Sequence, residues 1–255
     1  MRSHFRIKAR LVFGGCALLA VLGGCGSNSD AQTAAATKTA PSGFEKVPPA
    51  SDFTTKVDNP WFPLRPGTTL VYKGGEGGNP ERDVFKVTRR TNVVNGVRCV
   101  VIDDRVYSGR GAGHLSERTK DYYAQDSKGN VWYFGEDTAG LDSNGNVKST
   151  EGTWHAGVDG AHAGLFMPAH PRVGETHRQE YLKGQAEDWF KVLSVNAQVN
   201  VPHGRYTHAL RTREWTPLEP GVVDNKYYAR GIGEVFEGTV KGGNERFRLV
   251  AVTHS

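Results

Sequence analysis

The chain is poor in the residues that usually make a function legible. It has three cysteines in 255 residues. Cys16 and Cys25 fall within or at the end of an N-terminal leader, so Cys99 is the one thiol left and no intramolecular disulfide can brace the body. Cys99 lies in Val97-Arg98-Cys99-Val100-Val101-Ile102, between apolar neighbours, and reads as a buried structural thiol. An exported protein without disulfides must be held by its core. No segment shows a long 3.6-residue apolar period, so helices are not the building units. There is no G-x-S-x-G elbow, no P-loop, no G-x-G-x-x-G between strand and helix, and no H-E-x-x-H. A basic run is also missing beyond the leader, which speaks against nucleic acid as a partner.

What is present begins with the leader. Arg2, Arg6, Lys8 and Arg10 precede an apolar run from Leu11 to Leu22, too short to span a membrane comfortably. Leu22-Gly23-Gly24-Cys25 then resembles the lipobox of bacterial lipoproteins, which implies cleavage before Cys25 and lipidation of that cysteine. The leader carries four cations and no acid, so the formal +5 of the chain falls to +1 from residue 25 onward. Residues 25–50 are small, polar and proline-containing, and read as a flexible tether. Residues 51–255 are left for the folded domain.

That domain reads as all-β. Apolar and polar residues alternate in Asp83-Val84-Phe85-Lys86-Val87, and again in 98–107, 130–134 and 187–195. Clusters such as Gly74-Gly75-Glu76-Gly77-Gly78-Asn79-Pro80 and Lys241-Gly242-Gly243-Asn244 separate the runs. Five short blocks recur in order, including Asp83-Val84-Phe85-Lys86-Val87 with Asp188-Trp189-Phe190-Lys191-Val192, and Tyr122-Tyr123-Ala124 with Tyr227-Tyr228-Ala229. They predict two similar meander halves, about 61–154 and 168–252, joined by 155–167 and forming an antiparallel barrel or a two-sheet sandwich.

The stretch Trp154–Pro171 sits at that joint and holds three of the nine histidines. Two readings of it compete. Its glycines, Gly157, Gly160 and Gly164, permit positive φ, and Leu165-Phe166-Met167-Pro168 forms an apolar plug, together suggesting a loop or lid over a barrel mouth. Trp154, His155, Asp159, His162, Phe166, Met167 and His170 are then the candidate ligand-binding or lid residues. Alternatively His155, Asp159, His162, His170 and His177 could ligate a metal, with Met167 as a soft ligand, although spacings of seven or eight residues match no tight metal motif. No metal or other cofactor is expected. The acid pairs Asp103-Asp104, Glu136-Asp137 and Glu187-Asp188 point to opposite strand faces and read as solvation at strand ends. Asp142-Ser143-Asn144-Gly145-Asn146 has its glycine at the wrong place for a calcium loop and reads as a hairpin turn.

Several runs carry a resemblance. Asn59-Pro60-Trp61-Phe62-Pro63-Leu64-Arg65-Pro66-Gly67, the run from Gly129 to Asp137, and Lys226-Tyr227-Tyr228-Ala229-Arg230-Gly231-Ile232-Gly233 are similar to a group of bacterial secreted β-rich proteins and lipoproteins with no assigned activity. The last run also loosely resembles the lipoprotein carriers LolA and LolB, which implies an incomplete barrel able to hold acyl chains. The expectation is a non-enzymatic protein of the cell envelope, facing the periplasm or exterior. It is held to a membrane by lipid on Cys25 and binds an apolar small molecule or an envelope protein. The alternative is an envelope hydrolase or metal-binding protein built on the central histidines.

Overall fold

The computed structural model describes residues 44–255, so the leader, Cys25 and most of the tether lie outside the described residues. Sixteen strands follow one another. β1 (Phe53–Thr54) is an edge fragment, and β2 (Thr68–Gly75), β3 (Glu81–Val94), β4 (Val97–Ser108), β5 (His114–Asp126) and β6 (Val131–Leu141) form a first run of hairpins. Short strands come next: β7 (Val147–Ser149), β8 (Trp154–His155), β9 (His162–Met167), β10 (Thr176–Arg178) and β11 (Glu180–Tyr181). A second run comprises β12 (Trp189–Val201), β13 (Gly204–Trp215), β14 (Val223–Ala229), β15 (Gly233–Lys241) and β16 (Arg246–His254).

All pairings are antiparallel, and β16 joins the two runs by pairing with β2. The main path of the sheet begins at β10 and ends at β11. Those two strands are separated in sequence by Gln179 alone. One extended segment, 176–181, therefore pairs with β12 through its first half and with β9 through its second, bringing the sheet round almost to a closed barrel. This leaves little open edge for unwanted strand pairing. Register bulges fall between Tyr122 and Tyr123 in the first run and between Tyr227 and Tyr228 in the second.

Within the joint stretch, residues 162–167 form barrel wall. β9 pairs with β6 on one side and β11 on the other, because its residues 162–167 supply a continuous extended run with apolar side chains to bury. Gly157 and Gly160 do take positive φ, but Gly164 does not. It is glycine because a Cβ there would lie 2.3 Å from the Gln179 carbonyl group. The interior is filled instead by the run Asn59–Leu64. Phe62 packs against Phe166, Tyr123 and Phe85, with ring centroids at 4.6, 5.3 and 6.1 Å. Asn59 fixes this segment: its Oδ1 accepts the Trp61 and Phe62 N–H groups, and its Nδ2 donates to the carbonyls of Gly129 and Pro168. Trp61 is buried beneath the Arg230 guanidinium, 4.0 Å from its ring.

Beside this aromatic core the wall is acidic within. β3 buries Asp83, Phe85 and Val87; β5 buries Glu117, Thr119, Asp121 and Tyr123. Among the described residues fourteen carboxylates are buried, against two cations, Arg178 and Lys226. The acid pairs are thus not strand-end solvation. Asp104, Glu136 and Asp188 turn inward, while Asp103, Asp137 and Glu187 keep partial exposure. Burial, and then the nearby Asp104 carboxylate, hold Asp83 well above the usual carboxylate range. Lys226 Nζ lies 3.2 Å from Glu214, 3.6 Å from Glu237 and 3.9 Å from Glu234.

Cys99 is fully buried, and burial pushes its thiol up to about 12. Thiolate is the reactive form. A maleimide reagent at pH 7.5 is therefore expected to leave the Cys99 side chain unmodified in the folded protein and to label it in denaturant. Labelling of the folded state at the rate of a free thiol would show that this strand opens readily.

Candidate binding groove

With the acids turned inward, the outer face of β3–β6 is left basic. Strand register places Lys86 opposite Asp103, Asp103 opposite Lys120, and Lys120 opposite Asp137, an alternating row across four strands. Arg105 and Arg118 are direct partners one pleat further along. Asp103, Lys120, Asp137, Arg105 and Arg118, with Arg90, line a groove of about 520 Å³. A second hollow of about 290 Å³ shares Arg90 and Asp103 with it and adds Lys86 and Arg89. The six cations come from three strands and are dispersed between positions 86 and 120, so no basic run betrays them. Strand alternation collects Lys86, Arg105, Arg118 and Lys120 on one face.

The two acids of the groove are already engaged. Asp103 takes a two-pronged bond from Arg105, at 2.9 and 3.3 Å. Asp137 accepts the Tyr122 hydroxyl at 2.5 Å on one oxygen and contacts His155 Nε2 at 3.0 Å on the other. Burial, with the hydrogen bond to Asp137, raises the Tyr122 phenol above its ordinary range, so it remains a donor. Among the described residues, Lys86, Arg90, Arg118 and Lys120 form no ion pair within 4 Å. They are exposed and available to an incoming anion.

The central residues singled out in the sequence divide among several roles. His155 reaches the rim of the groove through Asp137. Trp154 is buried and donates from Nε1 to Glu180 at 2.9 Å; Phe166 and Met167 belong to the core. His162 packs against Phe44 and Tyr181, while Asp159 and His170 are exposed. His177 is bonded to Glu45 and packs at a tilt against Phe190. Five positions that looked like one cluster are spread over separate contacts, because His155, His162 and His177 fall on three different strands and Asp159 and His170 on the connections between them. Among the described residues no three His, Cys, Asp or Glu side chains are grouped so as to hold a metal ion. Asp142 instead orders its hairpin turn, accepting the Asn144 and Asn146 N–H groups.

No protein-family model matches the chain, and no curated protein sequence matches it. Two solved structures show a likeness. One is a Bacteroides fragilis protein named as a candidate exported protein with a YmcC-like fold, at 15% identity and a TM-score of 0.45, covering 76% of this chain and 98% of its own. The other, from Parabacteroides distasonis, is named as a candidate lipoprotein, with 10% identity, a TM-score of 0.41 and the same coverage.

Proposed function

We propose that this chain is a lipid-anchored, non-enzymatic binding protein of the bacterial cell envelope, whose groove on β3–β6 takes an anionic ligand. The anchor rests on the leader and the Leu22–Cys25 quartet. The ligand class rests on one observation: three exposed cations without ion-pair partners among the described residues, Arg90, Arg118 and Lys120, line a groove whose two acids are already occupied. An apolar ligand inside the barrel has less support. The interior holds the Asn59–Leu64 segment, and much of its remaining wall is carboxylate, which acyl chains would have to desolvate. The same reading takes the two hairpin runs as copies of one unit, with matching bulges at Tyr122-Tyr123 and Tyr227-Tyr228.

A short polyphosphate chain serves as a probe. Calorimetric titration is expected to detect binding that weakens with added salt, since exposed charges are screened beyond about 10 Å at 0.1 M. Reversing two groove cations, Arg118→Glu with Lys120→Glu, is expected to cost at least about 10-fold in affinity, from the usual worth of a charged hydrogen bond. An affinity unchanged by that double substitution would place the anion elsewhere.

A further inference from the structure

Two of the runs singled out in the sequence, Asn59–Gly67 and Lys226–Gly233, meet at one end of the barrel. The Gly231 N–H bonds the Pro60 carbonyl at 2.7 Å, and the Arg230 guanidinium covers Trp61. Two further pieces close round them. β16 brings Val252 and His254, which strand alternation puts on the same face as their register partners Leu70 and Thr68. The β12–β13 turn brings His203, whose N–H bonds the Leu249 carbonyl at 3.1 Å. Between these segments is a pocket of about 320 Å³, a size at the lower end of the range for small-ligand sites. It shares no lining residue with the β3–β6 groove.

The lining divides by chemistry. Its apolar part is withdrawn from solvent: Pro63 is buried, and Ile232 and Val252 pack against the core. Its exposed part carries Arg65, His203 and His254, and among the described residues no carboxylate side chain lines it. Both imidazoles are held through Nδ1, His254 by Thr68 Oγ1 at 3.1 Å and His203 by the Tyr206 hydroxyl at 2.6 Å. A ring held at Nδ1 offers Nε2 to a ligand. Among the described residues neither Nε2 has a hydrogen-bond partner, and Arg65 forms no ion pair within 4 Å. A guanidinium and two imidazoles suit a carboxylate head, and the apolar side suits a body attached to it. A bare inorganic anion would gain nothing from that apolar side. We propose that this pocket is a second binding site, for a small apolar monocarboxylate whose head meets Arg65 and the two histidines. The body lies against Pro63, Ile232 and Val252. The site is independent of the anion groove and does not rest on that reading.

The test uses the chain from residue 25 with Cys25→Ser, so that no acyl chain competes for the pocket; every described residue is retained. Naphthoate, one carboxylate on a flat apolar body, is the probe, and naphthyl methanol is its neutral counterpart. Titration followed by backbone amide chemical shifts is expected to saturate with a Kd of about 1 mM or lower, as suits a ligand of this size. The shifts should centre on residues 63–68, 231–232 and 252–254. Arg65→Gln should weaken binding by about 10-fold, and His203→Gln with His254→Gln by about as much, from the usual worth of a charged hydrogen bond. The alcohol should bind about 10-fold more weakly than naphthoate and be indifferent to Arg65→Gln. All three side chains are exposed, and the dispersion of the same spectra verifies that the variants fold. Shifts centred on β3–β6 would assign the probe to the groove and overturn the proposal. So would equal binding of acid and alcohol, an affinity unchanged by both sets of substitutions, or the absence of any saturable shift.

Discussion

Lys226→Met is expected to be among the most damaging single substitutions in the barrel, lowering stability by about 3–5 kcal/mol at neutral pH. The lysine is 3% exposed and is the one buried cation beside Glu214, Glu234 and Glu237. Burial alone would lower its pKa; the three carboxylates together outweigh that and hold the ammonium well above its ordinary range. Methionine fills similar volume, so what is lost is charge. The loss should depend on pH in a definite sense. Burial raises Glu234 from the usual 4.5 to about 8, and Glu237 is raised as well, chiefly by burial. A carboxyl whose folded pKa is raised binds its proton more tightly in the folded state. Its contribution is complete below pH 4.5 and is lost as pH climbs through 8. His177 acts in the same direction. Burial would lower it, but Glu45 and Glu175 win and raise it, so its contribution is present below 6.5 and lost above. The native barrel should therefore be more stable at pH 5.5 than at pH 8.5, and the cost of Lys226→Met should shrink on acidification. Chemical denaturation at both pH values decides this. An equal cost at each would mean that the lysine acts by packing alone.

Gly164→Ala should open the seam of the barrel. The added methyl group would sit 2.3 Å from the Gln179 carbonyl carbon and oxygen and 2.5 Å from the Arg178 carbonyl oxygen. These atoms are backbone, on the segment that, among the described residues, links β12 to β9, and cannot rotate away. The cost should reach about 3 kcal/mol, the upper part of the usual range for overpacking. Gly160→Ala is the natural contrast. Its φ is +82°, but nothing lies within 4 Å of an added Cβ, so only the left-handed strain of about 1–2 kcal/mol remains. Amide exchange adds the location: Gly164→Ala should release protection at 162–167 and 176–181 while the hairpin runs stay protected. Uniform loss across the sheet, or equal effects of the two substitutions, would contradict the seam. The seam has a further clamp near the tether. Arg178 is ringed by Trp189, Tyr181 and Phe44 at 4.3, 4.7 and 4.9 Å, and Glu45 bonds His177. The first described residues thus hold the closing segment in place.

The strand runs and their turns were legible because period-two alternation and Gly-Asn clusters are local properties of the chain. Asp142 announced its turn in the same way. The central stretch misled for the opposite reason. Its histidines are close in sequence, but they fall on separate strands and connections with different neighbours. Its Leu-Phe-Met run resembles a plug, and only pairing with β6 and β11 makes it wall. The run Asn59–Leu64 showed no alternation, and its role inside the barrel depends on the rings of Phe85, Tyr123 and Phe166 meeting it from three strands. The groove was silent in sequence because Lys86, Arg105, Arg118 and Lys120 each occupy an ordinary outward position. Their sum appears when the strands lie side by side.

By itself, the amino-acid sequence determined that the body is antiparallel β, that no disulfide supports it, and that its N-terminus carries the marks of a lipid-anchored protein. Each of these follows from composition or from neighbours within a few residues. The tertiary structure alone decided that the sheet comes round to a barrel rather than a sandwich, since this requires residues 176–181 to reach two distant strands at once. It also decided which acid of each pair faces inward. Alternation guarantees that adjacent carboxylates point to opposite faces, but only barrel curvature determines which face is the inside. The consequence is a wall acidic within and basic without, and the basic side holds the candidate site.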